Sequence, residues 1–213
     1  MDVCGLYDRL SSHYDVEEWW PAESSWEVMV GAILVQQTVW ENVAKVLQAM
    51  KHDGVLSVQA MAEMPVQELE SVIRSTGFYR QKARHIQGLA RYLMDRYDGD
   101  PQGILGKELG EARQELLSLP GIGSETADAI LLFAGSRPKF IAAAYVSRVL
   151  RRTGILDSDD YGEVQRYMEE RVLPDPKLYA RFYALLVHHA RTVCRTKPRC
   201  QACVLREECS FTG

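Results

Sequence analysis

The sequence has no apolar run of the 18 or so residues that a membrane helix requires, and its N-terminus lacks a basic segment followed by an apolar stretch. Neither a membrane partner nor secretion is therefore expected, and a cytoplasmic location is predicted. Alternation of polar and apolar residues is nearly absent, which argues against strands. Of the 213 residues, 46% are hydrophobic and 25% are charged, which excludes disordered, collagen-like and coiled-coil proteins.

Cysteine is nearly absent until the end of the chain, where four of the five cysteines lie within the last twenty residues. In a reducing compartment they are poor disulfide candidates, so their crowding indicates a ligand. The spacing is C-x5-C-x2-C-x5-C, formed by Cys194, Cys200, Cys203 and Cys209. Zinc ribbons usually pair two C-x2-C knuckles, and this tail has one. Iron–sulfur clusters are also held by four cysteines, so the spacing alone leaves a cluster and zinc both open.

Acidic residues are missing from one stretch although the whole chain carries a net charge of −4. Residues 177–206 contain seven Lys or Arg and no Asp or Glu. Lys197 and Arg199 lie between the first two tail cysteines. This loop is either a solvated basic surface or a phosphate-binding loop.

The apolar residues recur at spacings of three and four, which predicts an all-α protein. Helices are expected near residues 107–118, 141–153, 160–172 and 177–193. A tight turn, Leu119-Pro120-Gly121-Ile122-Gly123, separates two helical stretches. Glycines there let backbone amides at a helix N-terminus approach a phosphate. Many helical hairpins use glycine merely to turn, so the motif is weak by itself.

Taken together, these motifs resemble the helix-hairpin-helix DNA glycosylases of the endonuclease III type. The resemblance is carried by ILVQQT at residues 33–38, GFYRQKA at 77–83, LPGIGSETA at 119–127, AYVSRV at 144–149 and the four tail cysteines. It implies a six-helix barrel domain over residues 25–137 and a second domain made from residues 1–24 and 138–213. The second domain would carry a four-iron, four-sulfur cluster on those cysteines, with a pocket between the domains.

The resemblance also implies a function, namely removal of a damaged base that a monomer flips out of double-stranded DNA. Gln36 aligns with a glutamine that fills the gap left by the base, although a helix C-cap amide is an equal reading. The DNA-binding residues implied are Gln36, Gly121, Ile122, Gly123, Thr126, Arg148, Lys197 and Arg199. His188 and His189, on the helix before the cysteines, are expected to pack or hydrogen bond rather than bind metal.

The residues after the hairpin and those around Gln36 are similar to the sequences of the 3-methyladenine glycosylase branch. Alkylated purines are cationic, so flat aromatic faces bind them by stacking and by cation–π attraction. The pocket residues implied are Trp19, Trp20, Pro21, Trp40 and Tyr145. For Trp40 a core position is an equal reading. The alternative substrates are oxidised pyrimidines, as for endonuclease III.

Two positions depart from the family pattern. Glu125 stands where bifunctional members have a lysine nucleophile, which indicates a monofunctional glycosylase that uses water. Ala143 stands where the family has a catalytic aspartate. Either Ala143 is an engineered replacement, or the natural protein catalyses differently or not at all and is a lesion-binding protein. Glu125 is either a substitute carboxylate or a residue that the helix dipole stabilises.

Overall fold

The computed structural model of the chain describes residues 1–16 and 19–211; Glu17, Glu18, Thr212 and Gly213 lie outside the described residues. Over that part of the chain the secondary structure is helical and contains no strand, which confirms the all-α prediction. The helices are α1 Val3–Ser11, α2 Ser25–Leu34, α3 Trp40–His52, α4 Val58–Glu63, α5 Val66–Val72, α6 Tyr79–Tyr97, α7 Gln102–Leu105, α8 Leu109–Leu117, α9 Ser124–Ala129, α10 Ala144–Thr153, α11 Tyr161–Glu169 and α12 Pro176–Thr192. None of the helices in these described ranges is long and apolar enough to cross a membrane.

The chain divides into two compact units. One unit is Ala22–Gly135, and the other joins Met1–Pro21 to Ser136–Gly213. In the first unit α2 is buried on every side from Trp26 to Leu34. A helix that is apolar all round belongs in a core, so α2 forms the centre of this unit.

The ends of α2 explain why it begins and stops where it does. Ser24 caps the N-terminus, because its hydroxyl accepts a hydrogen bond of 3.1 Å from the amide of Glu27. The carboxylate of Glu27 is buried and pairs with Lys51 on α3 at 2.7 Å. α2 therefore starts at a satisfied cap and is tied to its neighbour by an ion pair.

Several predicted helices have different bounds in the structure. The stretch expected at residues 107–118 forms α8, and that expected at 141–153 begins only at Ala144, because Ala143 is extended with φ −58° and ψ 160°. The helix after the hairpin changes character at Ile130, where a π-helical turn runs to Ala134. The amide of Gly135 closes this turn on the carbonyl of Ile130 at 3.1 Å.

The second unit is organised around α12 by buried aromatic side chains. The rings of Tyr179 and Phe182 on α12 meet Phe140 edge to face, with centroids 5.4 and 6.1 Å away. Tyr7 on α1 meets Phe182 in the same way at 5.2 Å. These contacts pack the first helix of the chain against the last one.

We predict that Phe182→Ala lowers the free energy of unfolding by about 3–5 kcal/mol, because it opens a cavity beneath both Tyr7 and Phe140. Leu173→Ala is the control, since Leu173 is 71% exposed. That change should stay within about 0.5 kcal/mol. Urea titration of both variants measures the difference, and equal effects would contradict the arrangement described.

Candidate functional site

The glycine turn between α8 and α9 has a different reason for each glycine. Gly121 has a φ of +82°, and a Cβ added there would lie 2.0 Å from Nδ1 of His85. Ile122 is buried. Gly123 is exposed, and a Cβ on it would meet no heavy atom within 4 Å. Gly121 is therefore required by backbone and packing, whereas Gly123 leaves the surface at the start of α9 open.

Gln36 braces this turn from the segment that follows α2. Its Nε2 donates to the carbonyl of Gly121 at 3.0 Å and to the hydroxyl of Thr126 at 2.9 Å. The amide therefore joins the turn to the first turns of α9 and does not cap α2. Thr126 is buried, so its side chain serves this brace. DNA contacts by Gln36 and Thr126 stay predictions.

A second brace holds the two helices of the hairpin together. Arg113 on α8 donates to both carboxylate oxygens of Asp128 on α9, at 2.7 and 3.1 Å. Asp128 is fully buried. Removing one partner would leave a buried charge unpaired, at a cost of about 3–5 kcal/mol. The sequence contained no signal for this pair beyond two charged residues in helices.

Lys82 on α6 was also missed from the sequence. Its Nζ is buried and donates to the carbonyls of Leu34 and Thr76, each at 2.8 Å. Burial lowers the pKa of Lys82. Because both carbonyl oxygens bind the same nitrogen, the end of α2 and the loop that follows it lie beside the loop before α6.

Both of these loops hold a non-glycine residue in left-handed backbone. Gln37 has a φ of +54° and Phe78 a φ of +47°. Gln37 is exposed, and Phe78 has 62% of its surface exposed. Strained backbone that the surroundings hold in place concentrates at functional sites, and an exposed aromatic ring on such backbone is available to a partner.

The position of Glu125 makes its carboxylate available to a ligand. It lies in the first turn of α9 and is exposed. The side chain of Glu125 makes no hydrogen bond or ion pair with the residues that the structure describes. Desolvation by the surrounding protein nevertheless raises the pKa of its carboxyl group. A reachable carboxyl group of raised pKa is chemically suited to proton exchange.

Ala143 is the N-cap residue of α10. It is buried, and α10 has no side-chain hydrogen bond at its N-terminus. Asp is among the residues most favoured at this position, and Ala is not. Tyr145, two residues further, is 38% exposed, and the guanidinium carbon of Arg148 lies 5.2 Å from its ring centroid.

The remaining aromatic residues predicted for a base pocket lie outside helix interiors. Trp19 and Trp20 are half-buried in the bend between α1 and α2, and Pro21 is exposed. Trp40 is half-buried at the first residue of α3. A shared base pocket for these residues stays a prediction.

The four tail cysteines line one cavity, together with Val149, Leu205 and other side chains. All four are free thiols. Burial and the other three thiols raise the pKa of Cys203, which a hydrogen bond from the backbone of Leu205 partly offsets. Among the described residues, no group of three or more His, Cys, Asp or Glu is arranged to hold a metal ion.

Two arginines of α10 hold the backbone that carries these cysteines. Arg148 donates to the carbonyls of Ala190 and Cys194, both at 2.9 Å. Arg152 donates to the carbonyl of Arg195 at 2.6 Å and to Sγ of Cys194 at 3.4 Å. Arg148 therefore already donates two hydrogen bonds within the protein. A DNA contact by Arg148 stays a prediction.

His189 is buried behind the cysteine cavity, with 1% of its surface exposed. Its Nε2 lies 3.7 Å from Sγ of Cys203, and its Nδ1 lies 2.9 Å from the hydroxyl of Tyr14. Burial, with smaller effects of His188 and His13, lowers the pKa of His189 to about 4. The imidazole is therefore neutral at physiological pH.

The loop between the first two tail cysteines presents its cations outward. Lys197 and Arg199 are exposed and form no ion pair or side-chain hydrogen bond within the described part of the chain. The amide of Arg199 donates to the carbonyl of Val193 at 3.0 Å, which closes the loop. The loop thus has two cationic side chains available to an anionic partner.

The sequence is similar to those of known repair proteins over most of its length. It is 34% identical over 96% of this chain and 94% of its relative to a protein of Methanocaldococcus jannaschii named as a DNA repair glycosylase. It is 32% identical over 86% of this chain and 80% of its relative to endonuclease III of Synechocystis sp..

The structure is similar to those of two kinds of glycosylase. A non-covalent endonuclease III–DNA complex matches 97% of this chain and 93% of the other with a TM-score of 0.82 and 26% identity. The 3-methyladenine DNA glycosylase of H. pylori bound to 1,N6-ethenoadenine matches 90% of this chain and 98% of the other with a TM-score of 0.79 and 25% identity.

The family profile of HhH-GPD superfamily base excision DNA repair proteins matches residues 30–174, which include the braced hairpin and the N-terminus of α10. The chain belongs to this superfamily, and it is a DNA glycosylase of the endonuclease III type.

Proposed function

We propose that this glycosylase binds double-stranded DNA through its hairpin and, with an aspartate at position 143, hydrolyses the bond between deoxyribose and an alkylated purine without cutting the strand. The observation that carries the proposal is the hairpin turn, which Gln36 braces at Gly121 and which is open at Gly123. The cytoplasmic location and the monomeric state of the protein stay predictions.

DNA binding rests on the hairpin turn and on charge. The amides at the start of α9 are orphan donors at the positive end of a helix, and Gly123 has no side chain to keep a phosphate away. Gln36 holds the turn in one shape, so little ordering is needed on binding. Lys197 and Arg199 supply exposed cations for further phosphates.

Access to the damaged base requires that the base leave the stack. The two adjoining loops offer groups suited to that step. Phe78 presents an exposed apolar ring, and apolar side chains of this kind enter base steps in DNA-bending proteins. Gln37 offers an exposed amide that can replace hydrogen bonds of the lost base, whereas Gln36 offers only its amide oxygen, because its nitrogen binds Gly121 and Thr126. These roles are supported by the exposure of Phe78 and Gln37 and by the contact of Gln36 with the hairpin turn.

The proposed reaction leaves the strand intact because the position of the family lysine holds a carboxylate. Glu125 cannot form a Schiff base, so water is the nucleophile. The positive charge that develops on the sugar requires a carboxylate nearby, and at position 143 the chain has a methyl group. A second function, lesion binding without catalysis, is favoured by this one substitution.

An alkylated purine is favoured as the substrate by the aromatic residues and by one relative. Electron-poor, cationic bases bind flat aromatic faces, and Trp19, Trp20, Trp40 and Tyr145 are all at least partly exposed. The H. pylori glycosylase similar to this chain binds 1,N6-ethenoadenine. Oxidised pyrimidines are the alternative, on the similarity to endonuclease III.

The four tail cysteines are proposed to hold a four-iron, four-sulfur cluster. They fit it because all four line one cavity, are free, and have no acidic side chain among the cavity's lining residues. A single zinc ion is the alternative, but zinc ribbons usually pair two C-x2-C knuckles and this tail has one. When bound, the cluster would fix the loop that carries Lys197 and Arg199.

We predict that Ala143→Asp raises the rate of base release by about 10²–10³-fold, because the carboxylate stabilises the sugar cation. The measurement uses duplexes that contain 3-methyladenine, 7-methylguanine, hypoxanthine or thymine glycol. Release of a purine supports the proposed substrate, and release of thymine glycol alone supports the alternative. If neither chain releases any base, the lesion-binding function is favoured.

Ala143→Asn is the matched control for that change. Asn and Asp both cap α10, so each should raise the free energy of unfolding by about 1 kcal/mol. Only Asp supplies a negative charge, so only Asp should raise the rate. Equal activation by the two variants would show that the cap, and not the charge, limits the reaction.

We predict that borohydride traps no covalent adduct between this chain, with or without Ala143→Asp, and DNA containing an abasic site. The variant that carries both Ala143→Asp and Glu125→Lys should give an adduct, because it restores an amine at the hairpin. Gel electrophoresis after reduction measures both. An adduct through a hairpin residue of the unaltered chain would disprove the monofunctional proposal.

The two turn glycines separate folding from DNA binding. We predict that Gly123→Ala changes the free energy of unfolding by less than about 0.5 kcal/mol and weakens binding to undamaged duplex about tenfold, since its Cβ faces the incoming phosphate. Gly121→Ala should lower the melting temperature, because it meets His85 and strains the backbone. Unchanged DNA affinity of the Gly123 variant would remove the hairpin from the interface.

A further inference from the structure

A row of polar groups leads from the end of the first helix to one tail cysteine. Tyr14 follows α1, His189 lies on α12, and Cys203 lies in the tail, all within the unit formed by both chain ends. The hydroxyl of Tyr14 is 2.9 Å from Nδ1 of His189, and Nε2 of the same ring is 3.7 Å from Sγ of Cys203. The ring is buried between its two partners.

The chemistry of the partners fixes the direction of both hydrogen bonds. A cysteine that binds a metal is a thiolate and carries no proton, so its sulfur only accepts. Nε2 of His189 must then carry the hydrogen and donate to Cys203. In the neutral ring Nδ1 is left as the acceptor, and the O–H of Tyr14 donates to it. The hydrogen bond from Tyr14 thereby stabilises the tautomer of His189 that donates to Cys203.

We infer that Tyr14 and His189 form a relay that holds an N–H···S hydrogen bond on Cys203 and so raises the reduction potential of the cluster proposed above. Such a bond withdraws electron density from the sulfur, which favours the reduced cluster. Outer partners that fix the tautomer of a histidine are a recurrent feature of metal sites. Tyr14 and His189 are positioning residues in this sense, since neither is proposed as a ligand.

The other cysteines have different surroundings. Cys194 receives a hydrogen bond from Arg152, but that guanidinium also donates to the carbonyls of Cys194, Arg195 and Thr196. Cys209 donates its thiol hydrogen to the carbonyl of Arg152 at 3.3 Å, a bond that ends once the thiol is deprotonated. Among the described contacts, only Cys203 lies beside a buried imidazole, that of His189, which is itself hydrogen bonded to a third side chain, that of Tyr14.

The first experiment removes only the hydroxyl of the relay. Tyr14→Phe should keep the iron content at the level of the unaltered chain, shift the cluster potential downward in protein-film voltammetry and raise the iron–cysteine stretching frequency in resonance Raman spectra. Tyr7→Phe is the matched control, because Tyr7 lies on α1, shortly before Tyr14, and packs on Phe182. The control should change neither quantity.

A pair of histidine variants tests which ring nitrogen matters. The amide nitrogen of Gln can take the place of Nε2, and that of Asn the place of Nδ1. His189→Gln should therefore stay close to the unaltered potential, and His189→Asn should fall below the potential of Tyr14→Phe. If His189→Asn does not fold, Tyr14→Phe still decides the outcome.

The possible failures are distinguishable. An unaltered chain that contains stoichiometric zinc and no iron would overturn the proposed cofactor and the relay with it. A chain with a full cluster, whose potential and Raman spectrum are the same in Tyr14→Phe and Tyr7→Phe, would overturn the relay alone. A potential that drops in Tyr14→Phe and in His189→Asn, but not in His189→Gln, supports it.

Discussion

The constraint on which this structure depends is that buried backbone carbonyls with no partner within a helix must find donors elsewhere. A protein built only from helices leaves orphan carbonyls at every helix C-terminus and in every loop. Here long side chains from neighbouring helices supply the donors. Lys82 serves Leu34 and Thr76, and Arg148 serves Ala190 and Cys194. These bonds place the loops, and the loops carry the proposed function.

The same bonds explain how a loop can be rigid and still leave its outer surface free. The amide of Gln36 donates a hydrogen bond to the carbonyl of Gly121 in the hairpin turn. At Gly123, in the same turn, an added Cβ would have no heavy atom within 4 Å. The buried Lys82 donates hydrogen bonds to the backbone next to both loops, and Phe78 in one of these loops is exposed. The support lies inside the protein, and the groups proposed to meet DNA lie outside.

α10 shows how the proposed chemistry and the cysteine tail share one element. Its N-terminus carries Ala143 without a side-chain cap, and Arg148 in its middle and Arg152 in its last turn hold the backbone of the cysteine loop. Loss of order in the tail would release this helix at one end. The contacts to the tail and the position where the family has its aspartate therefore share one helix, within one unit of the structure.

Helical periodicity, the glycine turn and the cysteine spacing were visible in the sequence, because each depends on neighbours along the chain. That local information determined the all-α class, the hairpin and the family. Only the tertiary structure decided that Gln36 braces the hairpin, that Lys82 is buried beneath two loops, and that His189 lies between Tyr14 and Cys203. The physical reason is that the hydrogen-bond partners of a long polar side chain are distant in sequence, so their pairing exists only once the helices have packed.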